Sequence, residues 1–320
     1  MNKNLMLLFA SVFLVLIFPS ILIFHSSQPL DDEIKNQESI SADENKAQTV
    51  KVLTDSENIR SMDLDDYLVA VVLCEMPVKF SEEALKAQAI VARTYTLRRI
   101  EKSTKHENCD VCTDASCCQG FKSKEDYIKS GGKESDINKV IKAVNDTNSL
   151  VLMYKGALID ATYFSCSGGM TEDAVAVWGK DVPYLKATDS PGEEIATHYT
   201  DAVSYRADEL SQLLALSTEK SPGAWVESIT YTAGGGVDEI VICGKIFTGV
   251  ALRKLLNLRS TAFSVDYKEG VFVIETKGYG HRVGMSQYGA EAMALSGATC
   301  EQILLHYYTG VELVEYQSSD

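Results

Sequence analysis

Ser81-Glu82-Glu83-Ala84-Leu85-Lys86-Ala87-Gln88-Ala89-Ile90-Val91-Ala92-Arg93-Thr94-Tyr95 reads as a helix with no broad solvent face. Ser81 is the expected N-cap, and Glu82 and Glu83 occupy the first turn, where carboxylates meet the positive end of the helix dipole. From Ala84 on, apolar residues cover most of the circumference instead of one stripe, so the helix belongs inside a core. Gln88 and Arg93 need partners there, because an unpaired polar or charged group in the interior is costly. Read locally, Arg93 pairs with a structural carboxylate and Gln88 satisfies a backbone group. Just upstream, Asp63 to Glu75 has acids in its first turn and an apolar continuation that stops at Pro77, a helix of about three turns.

Outward from this pair the pattern changes period. Thr49 to Thr54 alternates as a strand, and Leu150 to Phe164 reads as two strands about a Lys155-Gly156 turn. A Cys-rich insert and a helical stretch at Asp136–Asn145 lie between. More β pattern follows at Trp225–Thr232, Glu239–Thr248 and Val271–Thr276, interrupted by a short helix at Gly249–Leu256. Helices return at Met285–Leu295 and Cys300–Tyr308. Mixed helices and antiparallel strands, without βαβ alternation or an internal repeat, define an α+β class with one mixed domain.

The N-terminus is of another kind. Leu5 to Phe24 carries no charge, and about 20 residues at 1.5 Å rise span the roughly 30 Å hydrocarbon core of a bilayer. The run exceeds a signal-peptide h-region and no small-x-small site follows it, so an uncleaved transmembrane anchor is expected. Lys3 before the span, with Asp31, Asp32 and Glu33 after it, places the N-terminus in the cytoplasm and everything after His25 outside. The expected organisation is a cytoplasmic stub and anchor at 1–25, a flexible acidic tether at 26–49 and an ectodomain at 50–320. Lys and Arg number 30 against 45 Asp and Glu, a net charge of −15. That excess argues against a protein held on nucleic acid by charge.

Four places carry candidate chemistry. Glu75 ends its helix, where the negative end of the dipole raises a carboxyl pKa, and Met76 and Phe80 are poised to desolvate it. It is either a general acid for glycoside cleavage or an exposed Glu at a frayed helix end. His106, Cys109, Cys112, Cys117 and Cys118 fit either a zinc shell or disulfides, with at most one of the adjacent Cys117 and Cys118 expected on the same ion. Ser165-Cys166-Ser167-Gly168-Gly169-Met170-Thr171-Glu172 breaks a strand with a glycine pair, which lets backbone amides approach a ligand. Gly278 to Ala290 is glycine-rich but lacks the Walker and Rossmann spacings, and suits a polar, aromatic-lined groove for an uncharged polymer.

In this order the segments resemble the stage II sporulation protein D family, membrane-anchored lytic transglycosylases of endospore-forming bacteria. The resemblance spans roughly Val50 to Val314 and rests on Cys74-Glu75-Met76-Pro77, Glu83 to Ala89 with Ala92-Arg93-Thr94-Tyr95, and Ser167-Gly168-Gly169 with Thr171-Glu172. Val177-Trp178-Gly179, Pro183-Tyr184-Leu185, Val283 to Gln287 and His306-Tyr307-Tyr308 with Gly310 complete it. It implies that Glu75 is the catalytic acid, that Gln88 and Arg93 face the glycan or brace Glu75, and that Ser167, Thr171, His281 and Gln287 are groove residues. Relatives carry cysteines corresponding to Cys112 and Cys118, which implies His106, Cys112 and Cys118 as a structural zinc set. Peptidoglycan strands are the implied substrate, with stage II sporulation protein P, an amidase, and stage II sporulation protein M as partners. The implied place is the mother-cell membrane facing the forespore septum. A non-catalytic glycan-binding scaffold is the alternative. Three departures stand out: Arg282 for a usual Gly, which is expected to alter groove width, Cys166 for a common Thr or Ser, and Tyr288 for a usual Trp.

Overall fold

The computed structural model describes residues 48–317, apart from 56, 57, 103, 104 and 218. The membrane span expected at Leu5–Phe24 and nearly all of the 26–49 tether lie outside them. No helix among the described residues is long and apolar enough to cross a membrane.

Strand β1 (Thr49–Asp55) turns back antiparallel as β2 (Asn58–Asp63). Asp63 caps α1 (Leu64–Glu75) by accepting the amides of Asp65 and Asp66, which satisfies donors that a helix start leaves unpaired. Helix α2 (Glu82–Lys102) is buried from Ala84 to Leu97 at every position except Lys86, as its all-round apolar pattern requires. Strand β3 (Val111–Cys112) pairs parallel with β1, and α3 (Lys124–Lys129) and α4 (Glu134–Asp146) follow. The hairpin about Lys155-Gly156 is β4 (Leu150–Tyr154) with β5 (Ala157–Leu158).

After β6 (Tyr163–Phe164) and α5 (Ala174–Trp178) the chain enters a strand-rich region. It comprises β7 (Thr200–Arg206), α6 (Ala207–Leu214), β8 (Val226–Tyr231), β9 (Val237–Ile242), β10 (Lys245–Thr248), α7 (Gly249–Leu255), β11 (Phe263–Lys268) and β12 (Val271–Lys277). The chain then returns through β13 (Met285–Ser286), α8 (Gln287–Leu295), α9 (Cys300–Tyr307) and β14 (Glu312–Glu315), which pairs with β4.

The α+β reading holds for the described residues, with one refinement. They form one compact unit that contains two separate hydrophobic cores. The larger surrounds α1 and α2 and draws on α4, β4 and α9. The smaller lies in the β7–β12 region, where Trp225, Ile240, Phe272 and Ile274 meet. Alternation along single strands carries no information on which sheets share a core, so the division was not legible from pattern alone.

Candidate active site

Five stretches remote in sequence meet at a cleft of about 340 Å³: the end of α1, Tyr95 of α2, Ala115 and Cys118 of the cysteine cluster, β6 with its flanking residues Ala161 to Ser165, and the segment Tyr279–Gln287. The last two are joined by parallel pairing of β6 with β13, Met285 opposite Tyr163 and Ser286 opposite Phe164. Gly284 permits that approach: its φ is +85°, and a Cβ there would stand 2.1 Å from the Thr162 carbonyl oxygen. Only glycine tolerates both constraints.

Glu75, half-buried at the C-terminus of α1, lines the cleft. Burial raises its pKa, opposed by hydrogen bonds from the Gly120 amide and with Tyr163. No basic residue lies in the last turn of α1 to offset the negative end of its dipole. Among the described residues that line the cleft, Glu75 is the only carboxylate. A Cβ on Gly120 would lie 3.0 Å from Glu75 Oε1 and 2.9 Å from Cys74 Sγ, so a glycine is what lets the amide reach the carboxyl. The Tyr163 hydroxyl donates to Gln119 Oε1 (3.3 Å) and also reaches Glu75. Gln119, Gly120 and Tyr163 were missed in the sequence because nothing local marks a glycine after a cysteine cluster, or a strand tyrosine, as a neighbour of residue 75.

The residues singled out by sequence divide. His281 and Gln287 line the cleft. His281 Nδ1 accepts the Val283 amide (3.1 Å), and burial, with the charge of Arg253, holds its pKa down to about 4, so the ring is neutral. It packs at a tilt against Phe164 and Trp178, at centroid distances of 5.5 and 5.4 Å. Gln88 is fully buried behind the wall, where its Oε1 accepts Gln287 Nε2 (3.3 Å) while its own Nε2 has no partner. It therefore braces a lining residue. Ser165, the first residue of the 165–172 stretch, lines the cleft with its Oγ 2.8 Å from His198 Nε2. His198 lies edge-on to Tyr279 and Tyr288.

Arg93, Ser167 and Thr171 do not line the cleft, and Arg93 meets the structural carboxylate that its local reading called for. Arg93, 2% exposed, donates to the carbonyls of Thr147 (2.7 Å), Val144 (3.0 Å) and Leu150 (3.4 Å) and lies 3.6 Å from Asp65. It thus ties down the end of α4, whose last carbonyls lack intrahelical donors. The amides of Ser167 and Gly168 do cradle an anion, but it is the chain's own Glu193. Thr171 Oγ1 accepts the Thr188 amide (2.8 Å) inside the protein.

Arg282 corrects another expectation, since it does not reach into the groove. Its backbone φ of +67° is the left-handed conformation in which glycine is favoured. The guanidinium turns inward, with Nη1 3.1 Å from Glu172 and bonds to the carbonyls of Ser167, Met170 and Gly234. Glu172 also accepts the Gly236 amide, so this buried pair fastens the Thr232–Gly236 turn to the 167–172 loop.

Beside the cleft, ligand atoms of His106, Cys112, Cys117 and Cys118 lie within 4.8 Å of one another, and all eight cysteines are free. Cys117 joins the three residues expected, which overturns the reading that adjacent cysteines exclude each other. The amides of both Cys117 and Cys118 donate to the Asp114 carbonyl, and that turn brings their thiols to one side. His106 Nε2 is 3.3 Å from Cys118 Sγ and 3.7 Å from Cys117 Sγ. Those are about the edges, roughly 3.5–3.8 Å, of a tetrahedral imidazole–thiolate shell. The cluster can hold a metal ion. Cys109 is buried outside it.

Residues 53–154 match the SpoIID family profile, described as a stage II sporulation protein. The chain is 36% identical over 271 residues to stage II sporulation protein D of Bacillus amyloliquefaciens, covering 83% of this chain and 78% of that protein. It is 36% identical over 267 residues to stage II sporulation protein D of Bacillus subtilis, covering 82% and 77%. A Bacillus subtilis protein named amidase enhancer is 29% identical over 302 residues, 78% of this chain and 40% of that protein. With more than a third of residues identical across most of both stage II sporulation protein D chains, this chain belongs to the SpoIID family.

Proposed function

We propose that this protein is a peptidoglycan lytic transglycosylase. It cleaves the bond from N-acetylmuramic acid to N-acetylglucosamine in peptide-stripped strands, with 1,6-anhydro ring formation, during septal wall remodelling and engulfment. The observation that carries the reading is the solitary, burial-raised carboxyl of Glu75 in a cleft whose described lining contains no second acid. A glycoside hydrolase uses a second carboxylate to activate water or to form a covalent intermediate. Muramic acid brings its own nucleophile, the 6-hydroxyl, and intramolecular delivery takes the place of that second group. Protonated Glu75 gives its proton to the glycosidic oxygen as the C1–O bond breaks. The resulting carboxylate then takes the proton of the 6-hydroxyl as its oxygen closes on C1, which restores the acid. The Gly120 amide fixes one carboxyl oxygen throughout. Gln287, braced by Gln88, offers polar contact to the sugar, and the ring face of His281 offers a wall.

Zinc fits the donor set of His106, Cys112, Cys117 and Cys118, because imidazole and thiolate are its preferred ligands and four of them close a structural shell. It would supply folding energy there. Through Cys117 and Cys118 it would hold the segment from which Gln119 and Gly120 reach Tyr163 and Glu75. Removing the metal with a chelator is expected to lower stability and activity together; activity lost in a fully folded protein would oppose the staple.

The names of the relatives support a sporulation and cell-wall setting. In that setting the Leu5–Phe24 span anchors the protein in the mother-cell membrane with its ectodomain facing the septum. Stage II sporulation protein P removes stem peptides before strand cleavage, and stage II sporulation protein M is the membrane partner. The test is to incubate the purified protein with peptide-free glycan strands and weigh the products. Anhydro ends, lighter by one water than reducing ends, are expected. Reducing ends would indicate a hydrolase, and strand binding without cleavage would indicate a scaffold.

A further inference from the structure

A second cleft, of about 800 Å³, opens on the strand-rich region, and no step above uses it. Its floor is the solvent face of β7, β12 and β11. Register sets Ser264 and Ala202 on either side of Glu275, with Lys277 beside Thr200 two residues further on. Alternation sends Phe263, Phe272 and Ile274 to the opposite face, into the smaller core. Tyr231, 57% exposed at the end of β8, forms a wall.

The side chains of Glu275, Lys277, Ser264 and Tyr231 make no hydrogen bond among the described residues, so donors and acceptors of both kinds stay open beside an exposed aromatic ring. A sugar ring uses that combination, with its C–H face against the aromatic ring and its hydroxyls on polar groups. Charge is nearly balanced, since Asp201 is matched by Arg259 at 3.1 Å, leaving one Glu and one Lys.

The two clefts adjoin. Lys277 lines one and Tyr279 the other, and two residues separate Cα atoms by at most about 7.6 Å. Arg259 spans the boundary, with its guanidinium 5.6 Å from the Tyr279 ring centroid while it pairs with Asp201.

We propose that the second cleft is a saccharide-binding site that holds the glycan strand several sugars away from the bond cleaved at Glu75, and so favours long strands over short ones. The proposal rests on the glycan reading of the first cleft, and the test separates the two. Full-length protein in detergent carrying Glu75→Gln is titrated with an N-acetylglucosamine trisaccharide and with long peptide-stripped strands. The same is done after adding Tyr231→Ala and Lys277→Ala. Long strands are expected to bind at least about ten-fold tighter than the trisaccharide. The added substitutions should remove most of that preference and leave the trisaccharide unchanged. Lys277→Gln alone, which keeps most of the side-chain stem, should act in the same direction. Equal affinity for both lengths, a preference that survives the substitutions, or a loss shared equally by both ligands would each overturn the second site with the glycan reading intact. No binding of either ligand to Glu75→Gln would remove both.

Discussion

Two regions of this molecule withdraw a glutamate from water, and they treat it differently. Glu193, 1% exposed, accepts the Ser167 amide and hydroxyl and the Gly168 amide on one oxygen, and the Ser190 hydroxyl on the other. Ser190 is tied in turn to the Tyr307 hydroxyl at 2.6 Å. Glu75 has one backbone amide and one phenol, and burial outweighs both, so its pKa rises. Donor density separates the two roles. A carboxylate ringed by donors is a brace, whereas burial shifts one with few donors toward its protonated form.

The largest effect that would break this contrast is on turnover. Glu75→Gln is expected to lower the rate of anhydro-product release by about 10²–10⁴-fold, the usual worth of a general acid, with strand binding retained. Glu193→Ala should act on folding instead, since it strands several buried donors at once. A loss of about 3–5 kcal/mol in denaturant unfolding is expected.

Gly120→Ala sharpens the contrast from the other side. Its new Cβ would crowd Glu75 Oε1 at 3.0 Å, and misplacing the acid should lower kcat by about ten- to a hundredfold with KM little changed. The smallest effect is on stability against pH. Because burial penalises the charged form, folding is favoured while Glu75 is protonated, and that contribution is lost as pH rises through its raised folded pKa. Glu75→Gln cannot ionise. At neutral pH it should melt above the wild type, and the gap should close as pH falls below the ordinary Glu value of about 4.3.

Much of the frame was legible because its causes are local. The acidic first turn of α1, the all-round apolar run of α2 and the Lys155-Gly156 turn each follow from neighbouring residues. Glu75 at a helix end could be read the same way. The rest depends on pairings across the chain. Gln88 and Arg93, both buried polar residues on α2, signalled that partners exist, but α4 claims Arg93 and Gln287 claims Gln88. The glycine pair after Ser167 signalled a close approach of backbone amides to a ligand, yet the chain's own Glu193, 24 to 26 residues on, takes that place. Arg282 drew notice as a departure from glycine, and Glu172 explains where its charge goes. Cys117 was set aside on a spacing argument that the turn at Asp114 defeats.

The central claim is that burial lifts the Glu75 carboxyl above the ordinary Glu range, and a carboxyl ¹³C NMR titration of glutamate-labelled protein tests it most directly. The resonance missing from the Glu75→Gln spectrum identifies the group. Titration above the ordinary Glu value of about 4.3 is the expected result. Titration at or below that value would contradict the assignment of Glu75 as the acid.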